Sequence, residues 1–365
     1  MSKIVSIATA VPEYKHEQEN ILTFMQNVYA MNEVDKRKMK FLYHQSGINT
    51  RYSVLPDYGL SANDWAFYPA TENLEPFPNL ELRMKWFNKT APKLSVSAIE
   101  KCIENKINKE DITHLITVTC TGMSAPGLDL QIMEEMNLPN NIFRTSVNFM
   151  GCYAAIHALK LANSFCNSDE NANVLIVCTE LCTLHFQKEN SIDNIASSLL
   201  FGDGAAAVLV THNDNNLEGL HIKDFYSEVS FKGKKDMSWQ PSSSGFLMTL
   251  SGYIPDLIEE DFNSLTQNAL QHANISKEDV THWCVHPGGK KILTAIEKSI
   301  NISTESLQHS YNVLKDYGNM SSPTILFVLK EIMEELQTSK KKSSNIFGAA
   351  FGPGLTLETF ILSDD

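Results

Sequence analysis

INKEDITH (Ile107–His114) returns 168 residues later as ISKEDVTH (Ile275–His282), with six of its eight positions identical. The same offset nearly recurs further on. FMGCYAAIHALK, ending at Lys160, pairs with NMSSPTILFVLK, ending at Lys330, and shares Met, Leu and Lys. FGDG at Phe201 has its counterpart in FGPG at Phe351. Three matches in one order indicate a duplicated domain, with about 20 extra residues in the first copy. The boundary falls near 212, giving halves 1–212 and 213–365.

Each half alternates strand and helix. HLITVTC and NVLIVCTE are β-rich apolar runs, and CYAAIHALKLANSF between them has helical spacing. GAAAVLV closes the first half as a strand. In the second half THWCVH reads as a strand, SPTILFVLKEIMEEL as a helix opened by Ser and Pro, and GLTLETFIL as the closing strand. This alternation predicts α/β layers with mostly parallel sheets. FKGKKDMSWQPSSSG and QTSKKKSSN read as loops, and ANDWAFYPATENLEPFPNLELR as irregular chain.

Composition narrows the function classes. The 365 residues are 43% hydrophobic and 20% charged, ordinary for a globular chain. Thirty basic against 43 acidic residues leave a formal charge of −13, which disfavours nucleic acid as a general partner. No apolar run approaches the ~18 residues of a membrane span. MSKIVSIATAVPEY reads as a first strand rather than a cleaved leader. The seven cysteines lack CxxC pairs, which predicts reduced thiols and a cytoplasmic location.

Ligands of α/β folds gather at the carboxyl ends of parallel strands. Three residues are expected there. Cys152 opens a helix of the first half, His286 ends the THWCVH strand before PGG, and Asn319 precedes the matching helix of the second half. A helix N-terminus and an imidazolium from His286 would both favour a Cys152 thiolate, and the Asn319 amide would donate to an oxyanion. Each has a plainer reading: a packed thiol, a hydrogen-bonded histidine, a turn asparagine. The other thiols, Cys102, Cys166, Cys178 and Cys284 among them, read as core. Zinc-ligand spacing and nucleotide-binding glycine loops are absent from the sequence, so no metal and no resident cofactor are expected.

NFMGCYAAIHALKLA, LFGDGAAAVLV, HPGGKKIL, YGNMSSPTILFVL and FGPGLTLETFIL together resemble the type III polyketide synthases, the chalcone synthase-like enzymes. The resemblance runs from the first strand to the last residues. It implies a thiolase fold, a duplicated layered αβαβα sandwich, and a homodimer that extends an acyl starter with malonyl-CoA. By resemblance Cys152 carries the acyl chain, while His286 and Asn319 hold carbonyl oxygens during decarboxylation and condensation. Phe201 looks like one gatekeeper, and Met248 stands where the second, usually Phe, is expected. Cys120, Thr121, Cys182, His185 and Ser321 look like cavity wall, with cysteines at two sites where plant-like members usually carry Thr. Ala125 takes the place of a Met that reaches into the partner's cavity.

Lys38 is the clearest match to the family's CoA-binding basic residues, and Phe41 and Gln45 replace others. Lys291 adds charge near the expected tunnel mouth. This thinner basic set leaves room for a starter delivered on an acyl carrier protein. The departures favour longer acyl starters and alkylpyrone, alkylresorcinol or phloroglucinol-type products. The nearest alternative is a one-round β-ketoacyl carrier-protein synthase of the initiating kind. A cysteine protease and a non-catalytic thiolase-fold protein are the rivals from other classes.

Overall fold

The computed structural model describes residues 1–29, 31–71, 73–214, 216–338 and 344–364. The loop expected at QTSKKKSSN lies largely outside them. The chain begins with β1 (Ser2–Ala10), β2 (Tyr14–Glu17), α1 (Gln18–Val28), α2 (Glu33–Gln45), β3 (Thr50–Ser53) and α3 (Leu80–Ile103). Next come β4 (His114–Thr119), α4 (Leu128–Met136), β5 (Phe143–Asn148), α5 (Ala154–Ser168), β6 (Asn173–Leu181), α6 (Ile192–Leu200) and β7 (Asp203–His212). The second half holds β8 (Leu220–Val229), the hairpin β9 (Met237–Ser242) and β10 (Gly245–Leu250), and α7 (Ile254–His272). It continues with β11 (His282–Val285), α8 (Lys290–Ile300), α9 (Gln308–Tyr317), α10 (Thr324–Thr338), β12 (Asn345–Gly352) and β13 (Thr356–Ser363).

The duplication is visible strand by strand. The large sheet runs β11-β12-β13-β8-β1-β7-β6-β4-β5. Read outward from the β8–β1 junction, β8-β13-β12-β11 repeats β1-β7-β6-β4. The copied INKEDITH segments fold alike. Each forms a capping box, Asn108 with Asp111 and Ser276 with Asp279. Each then enters its strand with a threonine hydroxyl 2.8 Å from the next histidine's Nδ1.

Side-chain alternation in the strands builds five layers. Leu115, Val177 and Ala207 face α3, whereas Ile116, Ile176 and Val208 face the buried helices α5 and α10. In the second half Ile346 and Phe360 close on those same helices, while Phe347 and Ile361 face α7 and α8. Helix, sheet, paired helices, sheet and helix follow one another, the expected αβαβα arrangement. The 20 extra residues of the first half are now placed. A 3₁₀ turn (Cys182–His185) and α6 separate β6 from β7, whereas β12 reaches β13 through Pro353–Leu355 alone.

Two sequence expectations need correction. The sheet is mixed, and only three of its eight strand pairings are parallel among the described residues. A three-residue connection such as that between β12 and β13 permits only an antiparallel pair, because a parallel return needs a long crossover. Second, FKGKKDMSWQPSSSG is not all loop. Met237–Ser242 pairs with Gly245–Leu250, opposing Trp239 to Met248. Its polar composition obscures the inward alternation of Met237 and Trp239.

Candidate active site

The strand ends and helix starts of both halves open on one cavity of about 420 Å³. Cys152, His286 and Asn319 line it together with Cys120, Thr121, Cys182, His185, Phe201, Met248 and Ser321. Lys38 does not belong to the wall. It sits on exposed α2 with its ammonium 3.3 Å from Asp35, and Lys36 and Lys40 also face carboxylates. Lys290 and Lys291 do line the cavity.

Cys152 lies in the turn two residues before α5 rather than within the helix. That turn requires a glycine. Gly151 has φ +85°, and a Cβ there would sit 2.2 Å from Pro353 Cδ. Pro353 belongs to the FGPG segment of the other half, so the repeated motif packs against the Cys152 turn. The Cys152 thiol donates to Ser321 Oγ at 3.6 Å.

His286 follows β11, anchored by its own N–H to Ala349 O at 2.8 Å. It is 1% exposed, and both ring nitrogens are buried without a hydrogen-bond partner among the described residues. A buried polar pair of this kind is costly unless something fills the cavity beside it. Asn319 is oriented by the Ser321 N–H, which donates to its Oδ1 at 2.8 Å. Its Nδ2 therefore points the other way, donating to Gly288 O at 3.4 Å.

Electrostatics modifies the sequence expectation. Burial pushes the Cys152 thiol up to about 11, partly offset by Ser321 and Asn319, with nearby Glu180 raising it further. Burial lowers His286 to about 3. Desolvation thus opposes the thiolate–imidazolium pair and favours thiol and neutral imidazole.

Two residues, Glu180 behind the wall and Trp239 in it, escaped the sequence reading, whereas His185 was expected there. Glu180 is fully buried behind Cys120 and Thr121. It accepts from Cys120 N–H (2.8 Å), Thr121 Oγ1 (2.7 Å), Thr119 Oγ1 (3.3 Å) and Ser322 Oγ (2.8 Å), yet burial still lifts it to about 7. Ser322 is the repeat partner of Cys152, so the second half uses its copy of the Cys152 position to hold this carboxylate. Trp239 lines the cavity, and its indole N–H donates to Cys120 O at 2.7 Å. Its position inside a lysine- and serine-rich stretch was the only signal. His185 is a fixed wall: its Nδ1 accepts from Phe246 N–H at 3.1 Å, leaving Nε2–H to donate to Thr121 O at 2.8 Å. Its ring stacks on Phe246 at 4.3 Å, and burial lowers it to about 3, so it stays neutral.

Known proteins share this fold. Family models of the N-terminal and C-terminal domains of chalcone and stilbene synthases match residues 1–214 and 230–364. The chain belongs to that family. It is a type III polyketide synthase, an acyltransferase with the thiolase fold. PKS-I from the brown alga Ectocarpus siliculosus superposes with TM-score 0.92 at 27% identity, over 99% of this chain and 97% of that one. Type III polyketide synthase C of Arabidopsis thaliana is 28% identical over 98% of this chain and 94% of its own length. Probable polyketide synthase 1 of Dictyostelium discoideum is 29% identical over 100% of this chain, which spans only 11% of that longer protein. Among the described residues of this type III polyketide synthase, no helix is long and apolar enough to cross a membrane. No cluster of three or more His, Cys, Asp or Glu suited to a metal occurs among them either.

Proposed function

We propose that Cys152, His286 and Asn319 carry out iterative decarboxylative condensation of malonyl-CoA onto a fatty acyl starter, giving alkylpyrone or alkylresorcinol products. The observation that carries the reading is His286. It lines the cavity that Cys152 and Asn319 share, and both its ring nitrogens are buried without a hydrogen-bond partner among the described residues.

The chemistry follows from these positions. Cys152 sulfur attacks the starter thioester as its proton passes to His286. A new S–C bond forms, the S–C bond to CoA breaks, and the CoA sulfur takes the proton. Malonyl-CoA then loses CO₂. A ring N–H of His286 and the Asn319 Nδ2–H hold the resulting enolate oxygen, so no metal is required. The enolate carbon attacks the Cys152 thioester, forming a C–C bond, breaking the C–S bond to Cys152 and releasing its thiolate. The lengthened chain returns to Cys152 for another round, and the finished poly-β-keto chain cyclises.

The starter class rests on the cavity wall. Ile21 and Met25 of α1, Phe186, and Ile195 and Leu199 of α6 add apolar surface beyond the reacting groups. Lys290 and Lys291 in the wall suit the phosphates of CoA, and a carrier-bound starter remains compatible with the paired lysines of α2. The exposed edge strand β5, with Phe143 71% exposed, supports pairing with a second copy. Mass spectrometry of products from malonyl-CoA and acyl-CoAs of increasing length tests the reading. Exclusive use of acetyl or aromatic starters would remove the fatty acyl part. One extension without a ring would favour the single-round synthase.

A further inference from the structure

Helix α6 lines the cavity, and its last carbonyls are satisfied from three separate parts of the chain. A helix end leaves such groups without intrahelical partners. Leu199 O accepts from the Gln18 amide at 2.9 Å, and Leu200 O from Asn319 N–H at 2.9 Å. Phe201 O accepts from Arg51 Nη1 at 2.5 Å. A cation at a helix C-terminus is electrostatically favoured.

Arg51 also belongs to a larger clamp. It sits in β3, only 3% exposed, and its Nε donates to Gln18 Oε1 at 3.0 Å. Phe201 and Asn319 form an isolated parallel bridge, with Gly202 N–H donating to Asn319 O at 3.0 Å. On the Asn319 side of that bridge the Arg51 stem packs against Gly318. Gly318 has φ +68°, and a Cβ there would lie 2.8 Å from Arg51 Cγ and Cδ. One side chain therefore grips both sides of the bridge: its head holds the carbonyl of Phe201, and its stem holds the residue before Asn319. The head uses two different nitrogens of a rigid fork at once, which a lysine ammonium cannot reproduce.

We propose that Arg51 is a positioning residue for the decarboxylation step. It acts through Phe201 and Asn319, fixing the gatekeeper ring and the oxyanion-holding amide relative to Cys152. The proposal rests on the reading that Asn319 holds the malonyl thioester oxygen. The backbone turn at Cys152 is braced by the Gly151–Pro353 contact, so starter loading should be far less sensitive to Arg51 than decarboxylation is.

The test compares Arg51→Met, Arg51→Lys, Gln18→Leu, Asn319→Ala and the Arg51→Met/Asn319→Ala double variant. Three quantities are read on folded protein: the acyl adduct on Cys152 by intact mass, CO₂ release from malonyl-CoA, and the thermal midpoint. Arg51→Met should load starter to the wild-type extent yet release CO₂ at least tenfold more slowly, through kcat more than KM. Arg51→Lys and Gln18→Leu, which keep the positive charge, should show smaller losses in the same direction. The double variant should be no slower than Asn319→Ala alone. Wild-type CO₂ release in Arg51→Met would overturn the proposal. So would equal losses of loading and decarboxylation, or a loss that adds fully to that of Asn319→Ala. Undiminished decarboxylation in Asn319→Ala would overturn the underlying role of Asn319, and with it this route. If Arg51→Met does not fold, wild-type CO₂ release in Arg51→Lys and Gln18→Leu overturns the proposal.

Discussion

Gly151 and Ser321 occupy matching positions in the two halves, and both adopt a left-handed backbone, φ +85° and +60°. The first immediately precedes Cys152. The second follows Asn319 by two residues, donates its N–H to the Asn319 side chain and accepts the Cys152 thiol. A serine in this conformation is strained relative to glycine, and such strain collects at functional sites. The fold thus uses one duplicated turn twice, to present the Cys152 thiol from one half and the Asn319 amide from the other.

Cys152→Ala should abolish the covalent acyl adduct while leaving the thermal midpoint nearly unchanged, since a small buried side chain replaces another. Intact mass after incubation with acyl-CoA reads this directly. An adduct of equal yield on the variant would place the nucleophile at another of the cavity thiols, Cys120 or Cys182.

Replacing His286 or Asn319 by Ala should slow malonyl-CoA decarboxylation by about 10²–10³-fold, the usual effect of removing one preorganised oxyanion donor. Release of labelled CO₂ measures it. Wild-type rates in both variants would refute their shared role.

Glu180 supplies a pH signature. Its folded-state pKa, about 7, exceeds the ordinary carboxylate value of 4.5, because burial penalises the charged form. The stability it contributes is full below about pH 4.5 and is lost as pH rises to about 7. Glu180→Gln should flatten this part of the stability–pH curve. Removing the nearby negative charge should also move the iodoacetamide reactivity of Cys152 to lower pH, because Glu180 raises the thiol's pKa. An unchanged alkylation profile would show that the carboxylate is already neutral or does not reach the sulfur.

Trp239 and Cys182 should control chain length from different walls. The Trp239 indole is fixed by Cys120 O and stands edge-on to His185, 5.5 Å between ring centroids. Trp239→Ala should open space and shift products to more extensions or longer starters, whereas Trp239→Phe should change them less. Cys182→Phe should fill space and shorten the preferred starter. Product profiles by mass spectrometry decide the matter, and identical distributions in Trp239→Ala and wild type would remove the indole as a limit.

The repeat, the layer order and the meeting of Cys152, His286 and Asn319 at one cavity were legible in the sequence. Burial periodicity is local, and the glycine-bearing motifs around Cys152, His286 and Asn319 record turns that few residues can make. Strand direction was not legible, because it depends on the length of the β12–β13 connection and on partners far away in the chain. The β9–β10 hairpin and Trp239 were hidden by a polar composition that pairing overrides. Only tertiary structure could commit both nitrogens of His185, leave both of His286 without partners and bury Arg51 behind Phe201 and Asn319. Those outcomes depend on desolvation and on hydrogen-bond partners distant in sequence. A residue's type and its neighbours specify which chemistry is available; the enclosing fold decides which groups are neutral, which are held and which stay free to act.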